Sequence, residues 1–173
     1  MVDAQTVSIV FAGMSIGLAA IYYALTLRNT QKNQQLTLET RQAQMFMNIY
    51  NNSFNNPQFW EYFQTIRLLH WKDLDEYLAL FDYTNPETRY NRIAFSMISG
   101  FYEGVGVLVK ENLLDIRMVA LLMTGQTKEF WEKIESIVEE ARKYFNYPRF
   151  VSETEYLYDE LMKYIEEHPE IKT

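Results

Sequence analysis

The chain has no cysteine and only two histidines among its 173 residues. The first absence excludes a disulfide framework, a thiolate nucleophile and a thiolate metal site, and it assigns no compartment. His70 and His168 stand far apart, each at an expected helix end. Neither has a second nitrogen or carboxylate one helical turn away on a shared inward face, so no metal site and no cofactor are expected. No Ser, Thr or Lys sits in a recognisable nucleophile setting, and no catalytic residue is assigned. Glycine and proline are scarce as well, at six and four. Gly104-Val105-Gly106 is no phosphate loop, because it lies inside a helical pattern with no strand before it. Period-two alternation is never sustained, and the fold class expected is all-α.

Positive charge is the next shortage. The net charge is −7. Residues 1–56 carry Arg28, Lys32 and Arg41 against Asp3 and Glu39, which is +1, so residues 57–173 carry −8, from 13 basic and 21 acidic side chains. A domain this acidic repels a phosphate backbone, and no nucleic-acid partner is expected. Aromatic residues, by contrast, are abundant at 16%, which points to a filled core rather than disorder.

The longest absence of charge defines the layout. Val7–Leu27, VSIVFAGMSIGLAAIYYALTL, holds 21 residues without one charged side chain. A helix of that length covers roughly 30 Å, the hydrocarbon thickness of a bilayer. The segment is read as a single transmembrane helix at the cell membrane. A cleaved signal peptide is the rival, but the preceding MVDAQT has no Lys or Arg and the apolar run is long for one. Arg28 and Lys32 follow directly, with Tyr22 and Tyr23 as interfacial anchors. The positive-inside rule then places residues 1–6 outside as a short tail and the C-terminal domain in the cytoplasm. In that topology Asn51-Asn52-Ser53 is a turn rather than a glycosylation acceptor.

The span has two faces. Val7, Val10, Phe11, Met14, Leu18, Ile21, Tyr22 and Leu25 form a bulky arc suited to lipid. Gly13, Gly17, Ala20 and Ala24 form a small-residue seam, flanked by Ser8, Ala12, Ser15 and Ala19. Such a seam lets a second transmembrane helix approach closely, from another copy or from a partner subunit.

Residues 28–44 are expected as a polar helical stalk and 45–173 as an all-helical domain. Leu38, Met45 and Ile49, with Phe46 and Tyr50, carry the stalk's far end towards the core, and Asn51–Asn56 is an expected break. Further helices are expected over Pro57–His70, Asp73–Phe81, Asn85 to Lys110, Asp115–Met123, from Thr127 to about Phe145, and from a Ser152-x-x-Glu155 capping box to His168-Pro169. The longest is read with Ile93, Met97, Gly100, Phe101, Gly104, Val107 and Leu108 inward. Ser96, Gly100 and Gly104 are then a notch for a crossing core helix. Ile93–Val109 is apolar enough for a second span, but Glu103 inside it favours a buried core helix. Glu103 is expected in a structural ion pair with Arg92 or Arg142, and the Asp73, Asp75, Glu76 cluster as an acidic helix start.

Phe101–Lys110, FYEGVGVLVK, followed by Leu114-Asp115, resembles a family of prokaryotic membrane proteins known only as a domain of unknown function. Leu25–Arg28, Phe59-Trp60, Trp131 before Arg142 and Glu155–Met162 match it too. The resemblance covers nearly the whole length. It implies one N-terminal span, a polar stalk and an all-helical cytoplasmic head, and it carries over no site residue. Glu111-Asn112 departs from the pattern, standing where a basic residue and Gly are expected, in the turn after the motif.

These features give three functional expectations. The first is a non-enzymatic accessory or interaction subunit in the membrane. The second is a regulatory or signalling membrane component. The third is an enzyme acting on a membrane-proximal substrate through Glu103 with Arg92 or Arg142.

Overall fold

The computed structural model describes residues 3–171, the side chains of Thr6 and Val7 excepted. The first residues of the expected outer tail, and Val7 on the expected lipid arc, lie outside that description. All regular structure among the described residues is helical, as the absence of period-two patterning requires. The chain divides into two units, Met1–Arg41 and Gln42–Thr173.

The first unit is helix alone, the greater part of α1 (Ala4–Phe54). Helix formers fill it and no proline interrupts it. Several of its hydroxyls bond back along the helix: Ser15 donates to the Phe11 carbonyl and Thr26 to that of Tyr22, both at 2.8 Å. In the polar stretch Thr37 and Thr40 do the same to Asn33 and Leu36. The expected polar stalk, residues 28–44, is helical throughout.

The second unit begins with the end of α1. Phe46 is fully buried, while Met45, Ile49, Tyr50 and Phe54 pack partly buried against the core. The expected break at Asn51 comes later, at Asn55–Asn56. Tyr50 and Phe54 stack at 4.6 Å, and the Trp60 indole N–H caps the Phe54 carbonyl at 2.8 Å. Aromatic packing and this cap outweigh the weak helix preference of Asn51, Asn52 and Ser53.

There follow α2 (Pro57–Leu68), α3 (Leu74–Leu80), α4 (Arg89–Lys110), α5 (Ile116–Leu122), α6 (Thr124–Tyr144), α7 (Ser152–Glu167) and a 3-10 turn, Pro169–Ile171. Asn56 caps α2 ahead of its first-turn proline, Asp73 caps α3 and Asp115 caps α5. Asn85-Pro86 forms a turn and the helix starts later, at Arg89. Thr124-Gly125 is no break; Met123 alone separates α5 from α6.

Helix α4 packs against α7 and α2. The expected inward face of this helix is corrected. Phe95, Ile98, Tyr102, Val105, Gly106 and Val109 are buried, whereas Ile93, Met97, Gly100, Gly104 and Val107 are exposed. α4 is apolar nearly all round, so periodicity alone permits either face inward. Burying the aromatic side removes more apolar area from water. Phe130, Ile134, Ile137, Val138 and Ala141 of α6 and Leu157 and Leu161 of α7 are buried, while Phe145 is exposed.

Candidate functional site

In the first unit the apolar residues from Ser8 to Leu27 are exposed. Nine aliphatic, Met or Phe side chains between Ile9 and Leu27 are exposed, Ile16 at 71% and Leu18 at 69%. Burying side chains of this kind is worth about 1.5–3 kcal/mol each. Together that is comparable to or greater than the net stability of a typical domain, which biases this helix towards an apolar environment. It is long and apolar enough to cross a membrane, and it is equally compatible with a signal sequence.

The seam on this helix is open. A Cβ built on Gly13 or Gly17 meets nothing within 4 Å, and Ala20 and Ala24 are exposed. Tyr22, Tyr23, Arg28 and Lys32 are exposed beyond and beside it. All four seam residues thus lie exposed along one helix, with none of the described residues within 4 Å of a Cβ at Gly13 or Gly17.

In the second unit the charged residues converge on the start of α7. Glu103, projecting from α4, accepts hydrogen bonds from the Thr154 backbone N–H at 2.6 Å and the Thr154 hydroxyl at 2.9 Å. It thereby caps α7 from a different helix. The expected ion pairs of Glu103 with Arg92 or Arg142 do not form among the described residues. Arg142 instead holds Glu139 at 2.8 Å and Glu155 at 2.6 Å, and donates to the Phe150 carbonyl. Because Glu155 is taken by Arg142, the Ser152-x-x-Glu155 capping box is not made either. Arg142 loses hydration by burial, and the bonds to Glu155 and Glu139 outweigh that loss and raise its pKa above the usual guanidinium value. Arg92 lies near Tyr77, whose phenol burial pushes well up and Arg92 draws partly back.

Glu153, one residue into α7, is 5% exposed. Lys110 bonds it at 2.9 Å and Arg149 at 3.3 Å, with the Ser152 hydroxyl at 3.3 Å. The Lys110 hydrogen bond holds its carboxyl below the usual range against the opposing effect of burial. A side chain on Gly106 would collide with the Glu153 carbonyl, so glycine is what lets α4 and α7 meet here. Val151, the residue before α7, sits at φ 50°. A β-branched residue is strained there, and its burial within the core holds it in place. Glu103, Gly106 and Lys110 all belong to FYEGVGVLVK, so that motif is the α4 half of this clasp.

The unit also carries surface hollows. An open groove of about 920 Å³ runs between α5, the start of α6 and the end of α7, with Leu121, Leu122, Ile165 and Ile171 on its walls and Glu166 and Glu170 at its rim. A smaller hollow of about 50 Å³ between α2 and α6 is bounded by the Arg67–Glu129 pair at 2.7 Å and by Lys133. Burial lowers the Lys133 pKa, and its ammonium lies 4.8 Å from the Trp71 ring centre. The Lys133–Trp71 contact was not legible in the sequence, because it joins the connection between α2 and α3 to α6 and leaves no local spacing. Among the described residues no group of three His, Asp or Glu side chains converges on a metal position. His168 stacks on Tyr164 at 4.0 Å, with its ring nitrogen on the Tyr164 carbonyl at 2.9 Å.

Comparison with curated proteins and with solved structures finds no match. Residues 7–161 match a family described as a domain of unknown function. The match covers the apolar helix, the stalk and the clasp together, and the chain belongs to that family, DUF4760.

Proposed function

We propose that this protein is a membrane-anchored, non-enzymatic accessory or interaction subunit, assembled in the membrane through the small-residue face of α1. The observation that carries this reading is the uncovered helix from Ser8 to Leu27, with its open Gly13, Gly17, Ala20, Ala24 seam. In a bilayer the hydrophobic effect no longer drives helices together, and close packing along such a seam does. Arg28 and Lys32 at its exit orient the chain with the N-terminus outside and the acidic domain in the cytoplasm. Two carboxylates of the domain support a structural role: Glu103 accepts from Thr154 at the start of α7, and the buried Glu153 pairs with Lys110 of α4.

Purification in mild detergent with identification of co-purifying chains tests the reading. It predicts a stoichiometric second membrane chain or a homo-oligomer, and Gly13→Ile with Gly17→Ile reduces the association severalfold. A lone monomer whose membrane-association signal is unchanged by both substitutions sinks it.

A further inference from the structure

The face of α4 left outside the core has an order of its own. Ile93, Met97 and Val107 are 44%, 56% and 42% exposed. Gly100 and Gly104 lie between them with nothing within 4 Å of an added Cβ. The spacing 93, 97, 100, 104, 107 keeps these residues on one stripe. Arg89 at one end of the stripe and Glu111 at the other are exposed, and neither forms an ion pair among the described residues. An uncovered aliphatic stripe with one sign of charge at each end is self-complementary in a single direction.

We propose that this face pairs with the same face of a second copy, the two α4 helices antiparallel and two-fold symmetric about Gly100. Residues equally far from the centre then face each other: Ile93 meets Val107, Ser96 meets Gly104, Gly100 meets Gly100, and Arg89 meets Glu111 of the second copy. Gly100 and Gly104 allow close backbone approach at the crossing, while Ile93, Met97 and Val107 pack on either side of it. The opposed helix dipoles and the two Arg89–Glu111 contacts favour this direction. A parallel pairing instead sets Arg89 against Arg89 and Glu111 against Glu111. Isologous contact is also the commonest symmetry of homo-oligomers. The proposal does not rest on the transmembrane seam, since its residues all lie in the second unit.

The natural absence of cysteine makes disulfide mapping on the full-length protein in detergent direct. Gly100→Cys is expected to cross-link to itself under mild oxidation. Ile93→Cys and Val107→Cys are expected to cross-link only when mixed, because like positions lie roughly 20 Å apart in this register. Glu140→Cys, exposed on α6, serves as the control that stays uncoupled. Arg89→Glu or Glu111→Arg alone weakens pairing roughly tenfold, and the two together restore it. The Gly100→Cys cross-link persists in a Gly13→Ile, Gly17→Ile background, which separates this surface from the seam. Loss of the cross-link in that background, self-coupling of Ile93→Cys, or equal coupling of Glu140→Cys overturns the proposal. So does a monomeric chain whose Met97→Cys thiol is shielded from a water-soluble maleimide by vesicles or by a co-purified protein, which assigns the face to that occupant.

Discussion

At the scale of single residues, the start of α7 depends on side chains supplied by α4. Glu103→Ala leaves the Thr154 N–H at a helix start without its acceptor, and is expected to destabilise the folded domain by about 1–2 kcal/mol. Glu103→Gln keeps an acceptor and costs less than that. Denaturant melts of the two variants order them. Gly106→Ala introduces a Cβ into the Glu153 carbonyl. Overpacking of that kind costs about 1–3 kcal/mol and lowers Tm by several degrees. Glu153 adds a pH dependence. Its folded pKa lies below the unfolded value, chiefly through Lys110. The folded state therefore binds fewer protons, and the stabilisation is complete above the unfolded value of about 4.3 and disappears as pH falls through the folded pKa. Glu153→Gln is expected to be less stable at neutral pH and to lose less stability on acidification. Melting curves from pH 7 to 3 check this; a variant with an acid limb as steep as wild type's contradicts it.

At the scale of elements, the end of α1 shows how a loop signal in sequence is overridden. Trp60→Phe removes the indole cap on the Phe54 carbonyl while keeping an aromatic ring. The last turn of α1 is then expected to fray, with faster hydrogen exchange at the Asn55 amide, which donates to the Asn51 carbonyl, and little change in the α6 core. Most caps were legible because they are local: Asn56, Asp73 and Asp115 act on amides two or three residues ahead. The true partners of Glu103, Glu155 and Trp60 were not, since each is fixed by packing between elements. The face of α4 was misread for a related reason. With apolar residues nearly all round, its orientation is decided by which neighbours fit the aromatic side, and by Gly106 rather than Gly100 or Gly104 being the point of close approach.

At the scale of the whole molecule, the chemistry divides along the sequence. The first unit carries uncovered apolar surface, and the second carries a filled aromatic core closed by a charged clasp on α7. Family membership extends over both. The apolar helix was legible from the first 27 residues alone, because absence of charge over a bilayer's thickness needs no tertiary context. The central claim is that this helix stays attached and anchors the acidic domain in the membrane. The most direct measurement carries different epitope tags at the two ends and follows both through membrane fractionation and alkaline extraction. Both tags on one full-length chain in the alkali-resistant membrane pellet is the result predicted. A soluble domain that retains the C-terminal tag and has lost the N-terminal one would contradict it.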